Sequence, residues 1–191
     1  MRQSLIICVT FLWACGGGNT DVTQETKALP EILGGTDSFM VKTLNRKETL
    51  LLGKKVRTTY ASFANDRQGT LGFIGSTMSR MAENKCQLTG PVHILMLKTP
   101  IKDTMDFFVG IPSNSSQGFV SNEIYKIPAG QYYAAQVGKA SGYALPKHKV
   151  LQEFLDDNKY PYQMPIIEVW KEQMERDMSK HENLQLQYRV K

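Results

Sequence analysis

Glu168 is the lone carboxylate of an otherwise apolar run, PIIEVW, that ends the stretch Ile127 to Trp170. If that run is a strand, Ile166, Glu168 and Trp170 share one face and Ile167 and Val169 the other. An acid on a half-buried face is either a rim charge, paired with one of the nearby lysines, or a group placed to meet a ligand. A carboxylate between low-dielectric walls attracts a lipophilic cation, and each aromatic face beside it adds about 0.5 to 2 kcal/mol by cation-π contact. The aromatics available to line such a site are Trp170, Tyr132, Tyr133, Tyr125, Phe107 and Phe108, with Tyr60 further off. Tyr132 and Tyr133 are adjacent, so in a strand they point opposite ways and only part of this set can face the acid. Core packing is the competing reading for each of them.

The elements that position these residues repeat. Asn84, Lys85 and Pro91 recur as Asn158, Lys159 and Pro165, each 74 positions later, and the same offset carries Leu71 onto Leu145 and Met81 onto Leu155. In the first copy, Leu51 to Ala61 reads as a strand, Leu71, Ile74, Met78 and Met81 as a helical stripe, Pro91 to Leu97 as a strand and Asp106 to Ile111 as another. In the second, a strand runs from Tyr125 to Val137, a helix from about Pro146 to Asp157 with Val150, Leu151, Phe154 and Leu155 buried, a strand over Ile166 to Lys171, and a last alternating strand through Leu184, Leu186, Tyr188 and Val190. The expected fold is therefore α+β: two β-α-β-β units in one antiparallel-rich sheet, both helices on one face and a cleft between the halves.

The 191 residues suffice for one well-buried domain. A formal net charge of +5 is modest and its basic residues are scattered, so no nucleic-acid partner is expected. Residues 1–14, MRQSLIICVTFLWA, carry one basic residue and an apolar core too short to span a bilayer, which is the pattern of an export signal. Leu12 to Cys15 resembles a bacterial lipobox, with Trp13 where a small or β-branched residue is usual. Processing there would leave Cys15 lipidated, with residues 15–46 as a tether of roughly 30 Å end to end and residues 47–191 as the folded domain. An ordinary signal peptide with an incidental cysteine is the alternative. Glycine rather than aspartate after Cys15 favours the outer membrane in many Gram-negative bacteria. The expected location is the cell envelope, with the membrane a partner through the lipid anchor. Of three cysteines only Cys86 then stays in the domain, without a disulfide, as a small buried hydrophobe rather than a nucleophile.

The segment DFFVGIPS from Asp106, the phrase IPAGQYYAAQVG, the helix ending FLDDNKYPY and the strand PIIEVW resemble, in order and spacing, the gyrase-inhibitor-like small-molecule-binding domain. The same domain serves as the effector-binding module of bacterial multidrug-responsive transcription activators and is distantly related to SOUL haem-binding proteins. The resemblance spans about Leu50 to Lys191 and implies a ligand cleft between the halves, with the acid at Glu168 inside it. An export signal rather than a DNA-binding domain precedes the module, so transcriptional regulation is not expected. Two departures lie near the expected cleft: KASGYALP replaces a short Gly-Pro-Tyr-like turn after Gly138, and Trp170 stands where a tyrosine is common.

The expected function is a membrane-anchored lipoprotein that sequesters or senses a hydrophobic or cationic amphiphile through Glu168, Trp170, Tyr132, Tyr133, Tyr125 and Phe108. The alternatives are a structural or interaction lipoprotein of the envelope, a hydrolase of small electrophiles and a haem binder. The resemblance supplies the hydrolase reading, with Glu168 and Tyr132 or Tyr133 as base and proton donor. No serine, cysteine or metal-ligand constellation supports catalysis independently. For haem, only His93 and His148 could reach iron, neither in a haem motif, and His181 sits in a polar segment. No cofactor is expected.

Overall fold

The structure, a computed structural model, describes residues 32–36, 39–65, 67–98, 104–137, 145–170 and 184–191. The leader, Cys15 and the first half of the expected tether lie outside these residues. In chain order the strands are β1 (Ile32–Thr36), β2 (Phe39–Arg46), β3 (Thr49–Thr59), β4 (Val92–Met96), β5 (Thr104–Pro112), β6 (Ile124–Ile127), β7 (Gly130–Val137), β8 (Tyr162–Trp170) and β9 (Leu184–Val190). The helices are α1 (Tyr60–Asn65), α2 (Arg67–Glu83) and α3 (Leu145–Asp157). They form one nine-stranded sheet in the order β1-β2-β7-β9-β8-β4-β5-β3-β6, with antiparallel pairing throughout.

The sheet carries the sequence repeat. β3-α2-β4-β5 makes one half with spatial order β3-β5-β4, and β7-α3-β8-β9 makes the other with order β7-β9-β8. The halves meet where β4 pairs β8, and Ile94 stands opposite Glu168 in that pairing. Positions 94 and 168 are themselves 74 apart, so the axis relating the two copies passes through this pair. Both helices end in the same device. Lys85 and Lys159 each adopt φ 57°, the left-handed conformation that closes a helix. The next amides, of Cys86 and Tyr160, bond back to the carbonyls of Met81 and Leu155, both at 2.8 Å. The side chains of Asn84 and Asn158 cap the carbonyls of Arg80 and Phe154, again both at 2.8 Å.

One face of the sheet is the helix face. Ile74 and Met81 of α2 and Leu151 and Leu155 of α3 are buried there against Phe107, Val109, Ile94, Ile166, Leu186 and Tyr188. Phe63 of α1 stacks on Phe107, with ring centroids 4.6 Å apart. Met78, expected in the α2 stripe, is exposed instead, and Thr77 takes the buried position. Cys86 is buried and free.

The opposite face is enclosed because the sheet curls. β6 borders β3 at one flank and β7 borders β2 at the other, yet only Pro128 and Ala129 separate them. Four consecutive residues reach at most about 11 Å between end Cα atoms, so the two flanks come together there. The strand expected from Tyr125 to Val137 is therefore two strands, broken at Pro128 because the chain turns from the β6 edge to β7, third from the opposite edge. Gly53 of β3 faces Gly110 of β5, and a Cβ on Gly53 would lie 1.9 Å from the Val109 carbonyl oxygen. Only glycine permits that approach, and it bends the strands inward. The enclosed inner face holds a second core of Leu51, Leu95, Phe108, Ile127, Tyr132, Ile167 and Val169.

Three boundaries differ from expectation. Residues 32–36 and 39–46, expected as the end of the tether, are strands β1 and β2, with Val41 fully buried. β3 ends at Thr59, where the Thr59 hydroxyl oxygen accepts the Ser62 amide proton at 3.0 Å and caps α1, so Tyr60 and Ala61 are helical. β8 begins at Tyr162, and its register against β9 shifts between Gln163 and Ile166, around Pro165, which has no amide proton to give.

Candidate functional site

The central strands place Glu168 in an apolar frame on the helix face. Along β8 its neighbours on that face are Ile166 and Trp170, and across the sheet they are Leu186 of β9 and Ile94 of β4. Glu168 is 1% exposed. A carboxylate so deeply withdrawn from water needs partners, and it has them. The His148 Nε2 of α3 lies 2.9 Å from Oε1, and the Trp170 indole Nε1–H donates to Oε2 at 3.1 Å. Alternation along β8 sets the second contact, since residues two apart share a face. The first depends on α3: His148 shares its buried stripe with Leu151 and Leu155, at the spacing that stacks side chains on one helix face.

The chain of polar groups continues. His148 Nδ1 lies 2.8 Å from the Tyr188 hydroxyl, which also lies 3.4 Å from the His148 backbone carbonyl. Burial, and then the neighbouring Tyr162, Glu168 and Asp156, push the Tyr188 hydroxyl well above its ordinary value, so it stays protonated. With Glu168 ionised, His148 Nε2 carries the proton it shares with Oε1. Nδ1 then either accepts from the Tyr188 hydroxyl or, when protonated, donates to it while that hydroxyl turns to the backbone carbonyl. Both arrangements give every polar group of the chain a partner.

The structure divides the expected site residues between two faces. Glu168, Trp170 and Tyr133 lie on the helix face, the Tyr133 ring tilted 44° against Tyr160 with centroids 5.6 Å apart. Tyr132, Phe108 and Tyr125 belong to the inner face, where Phe108 and Tyr125 sit 5.4 Å apart. The sheet itself separates Tyr132 from Glu168, so a base and proton donor cannot be made of that pair. Among the described residues, a histidine and an indole are partners of Glu168. His148 and Tyr188 were not among the expected site residues; the signal that could have found the histidine is its spacing, three and seven residues before Leu151 and Leu155, which puts it on their buried face.

The inner face has a polar cluster of its own. The Arg46 guanidinium, at the end of β2, donates to Gln187 Oε1 and to Thr49 Oγ1 at 3.2 Å, lies 3.2 Å from His93 Nε2 and sits 5.7 Å over the Tyr132 ring. His93 Nδ1 lies 2.8 Å from the Pro91 carbonyl. Burial and then the Arg46 charge hold His93 down at about 4, so it is neutral, with Nδ1–H donating to Pro91 and the Nε2 lone pair accepting from Arg46. Gln187 in turn donates to Gln185 at 2.7 Å. With both ring nitrogens of His93 and of His148 engaged, neither presents a free ligand nitrogen to iron. Among the described residues no group of three or more His, Cys, Asp or Glu side chains could hold a metal, and no helix is long and apolar enough to cross a membrane.

No protein-family model matches the chain, and no curated protein matches it. Solved structures do. The crystal structure of the EcmrR C-terminal domain superposes with a TM-score of 0.63 at 15% identity, over 80% of this chain and 98% of that one. EcmrR in the cryo-EM structure of its DNA complex gives 0.62 at 17%, over 80% of this chain and 57% of that one. SAV2435 bound to tetraphenylphosphonium gives 0.53 at 13%, over 79% and 93%. At these identities the likeness is one of architecture: the chain has the fold of the EcmrR C-terminal domain and of SAV2435.

Proposed function

We propose that this chain is a small-molecule-binding module whose ligand is a hydrophobic or cationic amphiphile held against Glu168. The observation that carries the reading is the position of Glu168: a carboxylate 1% exposed, framed by Ile94, Ile166, Leu186 and Trp170, on the seam between two halves of a fold shared with a tetraphenylphosphonium-bound protein. His148 occupies the acid in this structure, so it acts as an internal surrogate for a cationic ligand. A bound cation takes over Oε1 as His148 withdraws with α3 and turns to Tyr188, while Trp170 keeps its bond to Oε2 and offers its indole face. Tyr133 and Phe107 are the other aromatics of the expected set on this side of the sheet. Tyr132, Tyr125 and Phe108 stay in the inner core and take no part. Calorimetric titration of the full chain with tetraphenylphosphonium tests this: saturable binding that Glu168→Gln weakens at least about tenfold supports it, and equal binding by both forms refutes it.

The same reading places the protein in the cell envelope, anchored through a lipidated Cys15 and in the outer membrane of a Gram-negative cell. Palmitate incorporated during growth should label the chain and be lost in Cys15→Ser; labelling that survives the substitution would remove the anchor from the account.

A further inference from the structure

We infer that the mouth of the inner face is a second binding site, distinct from Glu168, that takes the oxyanion head of a small molecule between Arg46 and Arg189. Arg189 stands opposite Tyr132 in the β7-β9 register, so the two share the inner face, and Gln187 and Gln185 follow on the same side of β9. Arg46 and Arg189 thus bracket Tyr132, and no described carboxylate pairs with either guanidinium. A half-buried pair of cations without a counter-charge is costly unless an anion completes it.

The nearby acids are committed elsewhere. Asp106, on the inner side of β5, stands four residues from Gly110, the partner of His93, which is about 13 Å along a strand. It is held by Lys55, Arg57 and Lys98 at 3.7 to 3.8 Å. Glu48 is more than half exposed and pairs with Lys126 at 3.3 Å.

There is also room and donor capacity. A guanidinium has five N–H groups. Arg46 directs three of them to Gln187, Thr49 and His93, which leaves two. Gly130 is the register partner of Arg46, two residues before Tyr132, and a Cβ placed on it meets nothing within 4 Å. The open space therefore adjoins the unpaired cation. Neutral His93 and Gln187, itself donating to Gln185, hold the guanidinium from behind, while Tyr125 and Tyr132 give an apolar wall for whatever carries the anion. The planar fork of arginine suits a carboxylate or a phosphate equally.

The test uses the full chain in non-ionic detergent, titrated calorimetrically with butyl phosphate, butyrate, inorganic phosphate and, as the charge control, butylamine. Saturable binding of butyl phosphate or butyrate, absent for butylamine, is expected. Arg46→Gln and Arg189→Gln should each weaken it at least about tenfold, and Glu168→Gln should leave it unchanged. Inorganic phosphate binding as tightly as butyl phosphate would mark a free-anion site; a preference for the alkyl esters would mark an amphiphile site. The Arg189 guanidinium makes no described hydrogen bond, so Arg189→Gln keeps the test open if Arg46→Gln fails to fold. Absence of binding by every anion, or binding indifferent to both arginines, overturns the proposal, and loss in Glu168→Gln would assign the anion to the helix face instead.

Discussion

His148 Nε2 and Glu168 Oε1 lie 2.9 Å apart across the junction of α3 and β8, with both side chains at most 3% exposed. That pairing joins a helix of the second repeat to the axis of the whole sheet. Removing one member strands the other: His148→Ala leaves a buried carboxylate with one donor fewer and should cost about 3 to 5 kcal/mol in urea unfolding. Glu168→Gln keeps an acceptor for Trp170 and a donor for His148, so it should cost less than half as much. Equal losses would mean that packing rather than charge dominates the pair.

His93 gives the fold a defined acid sensitivity. The unfolded chain protonates this imidazole below about 6.5, whereas the folded chain, by burial and the nearby Arg46, does so only below about 4. Between those values the unfolded state binds more protons, so stability rises with pH across that window and falls on acidification. The difference amounts to about 3 kcal/mol at the acid end. Chemical unfolding of His93→Gln should show a flatter profile between pH 4 and 6.5; an unchanged slope would assign the acid sensitivity to other groups.

Lys85 and Lys159 hold the same left-handed backbone at equivalent helix ends. Glycine relieves that conformation, offset in part by the freer unfolded chain, so Lys85→Gly and Lys159→Gly should each stabilise by roughly 0.5 to 1 kcal/mol. Similar gains at both sites are the expected result of thermal unfolding, because both caps use the same bonds.

The curl of the sheet depends on Gly53. A methyl group there meets the Val109 carbonyl at 1.9 Å, backbone that can yield only by opening the β3-β5 pairing. Gly53→Ala should therefore destabilise by more than about 3 kcal/mol, and it should increase amide exchange at Leu51 and Leu52 beyond that at Leu151. A neutral substitution would show that the two strands separate freely.

The repeat was legible in the sequence because its landmarks, an asparagine, a lysine and a proline, are the residues that end a helix and begin a strand. Strand parity likewise placed Glu168 with Trp170 and forced Tyr132 and Tyr133 apart. What parity could not show is which face each strand turns to the helices, because that depends on the curl: Phe107 meets Phe63 on the helix face while Phe108 faces inward. The curl itself rests on Gly53 and on the break at Pro128, neither of which differs in kind from an ordinary strand glycine or turn proline. The partner of Glu168 was out of reach for a related reason. His148 is 20 residues away and on a helix, and only the docking of α3 brings its ring to the acid.

Trp170 offers the most direct test of the central claim that Glu168 is a ligand-binding acid with His148 in a ligand's place. In the full chain carrying Trp13→Phe, Trp170 is the sole tryptophan, and its indole already bonds Glu168. Titration with tetraphenylphosphonium should give a saturable change in Trp170 fluorescence that weakens at least about tenfold in Glu168→Gln and tightens in His148→Gln, where the imidazole no longer occupies the acid. A change in fluorescence of equal affinity in all three proteins, or none in any, would contradict the account.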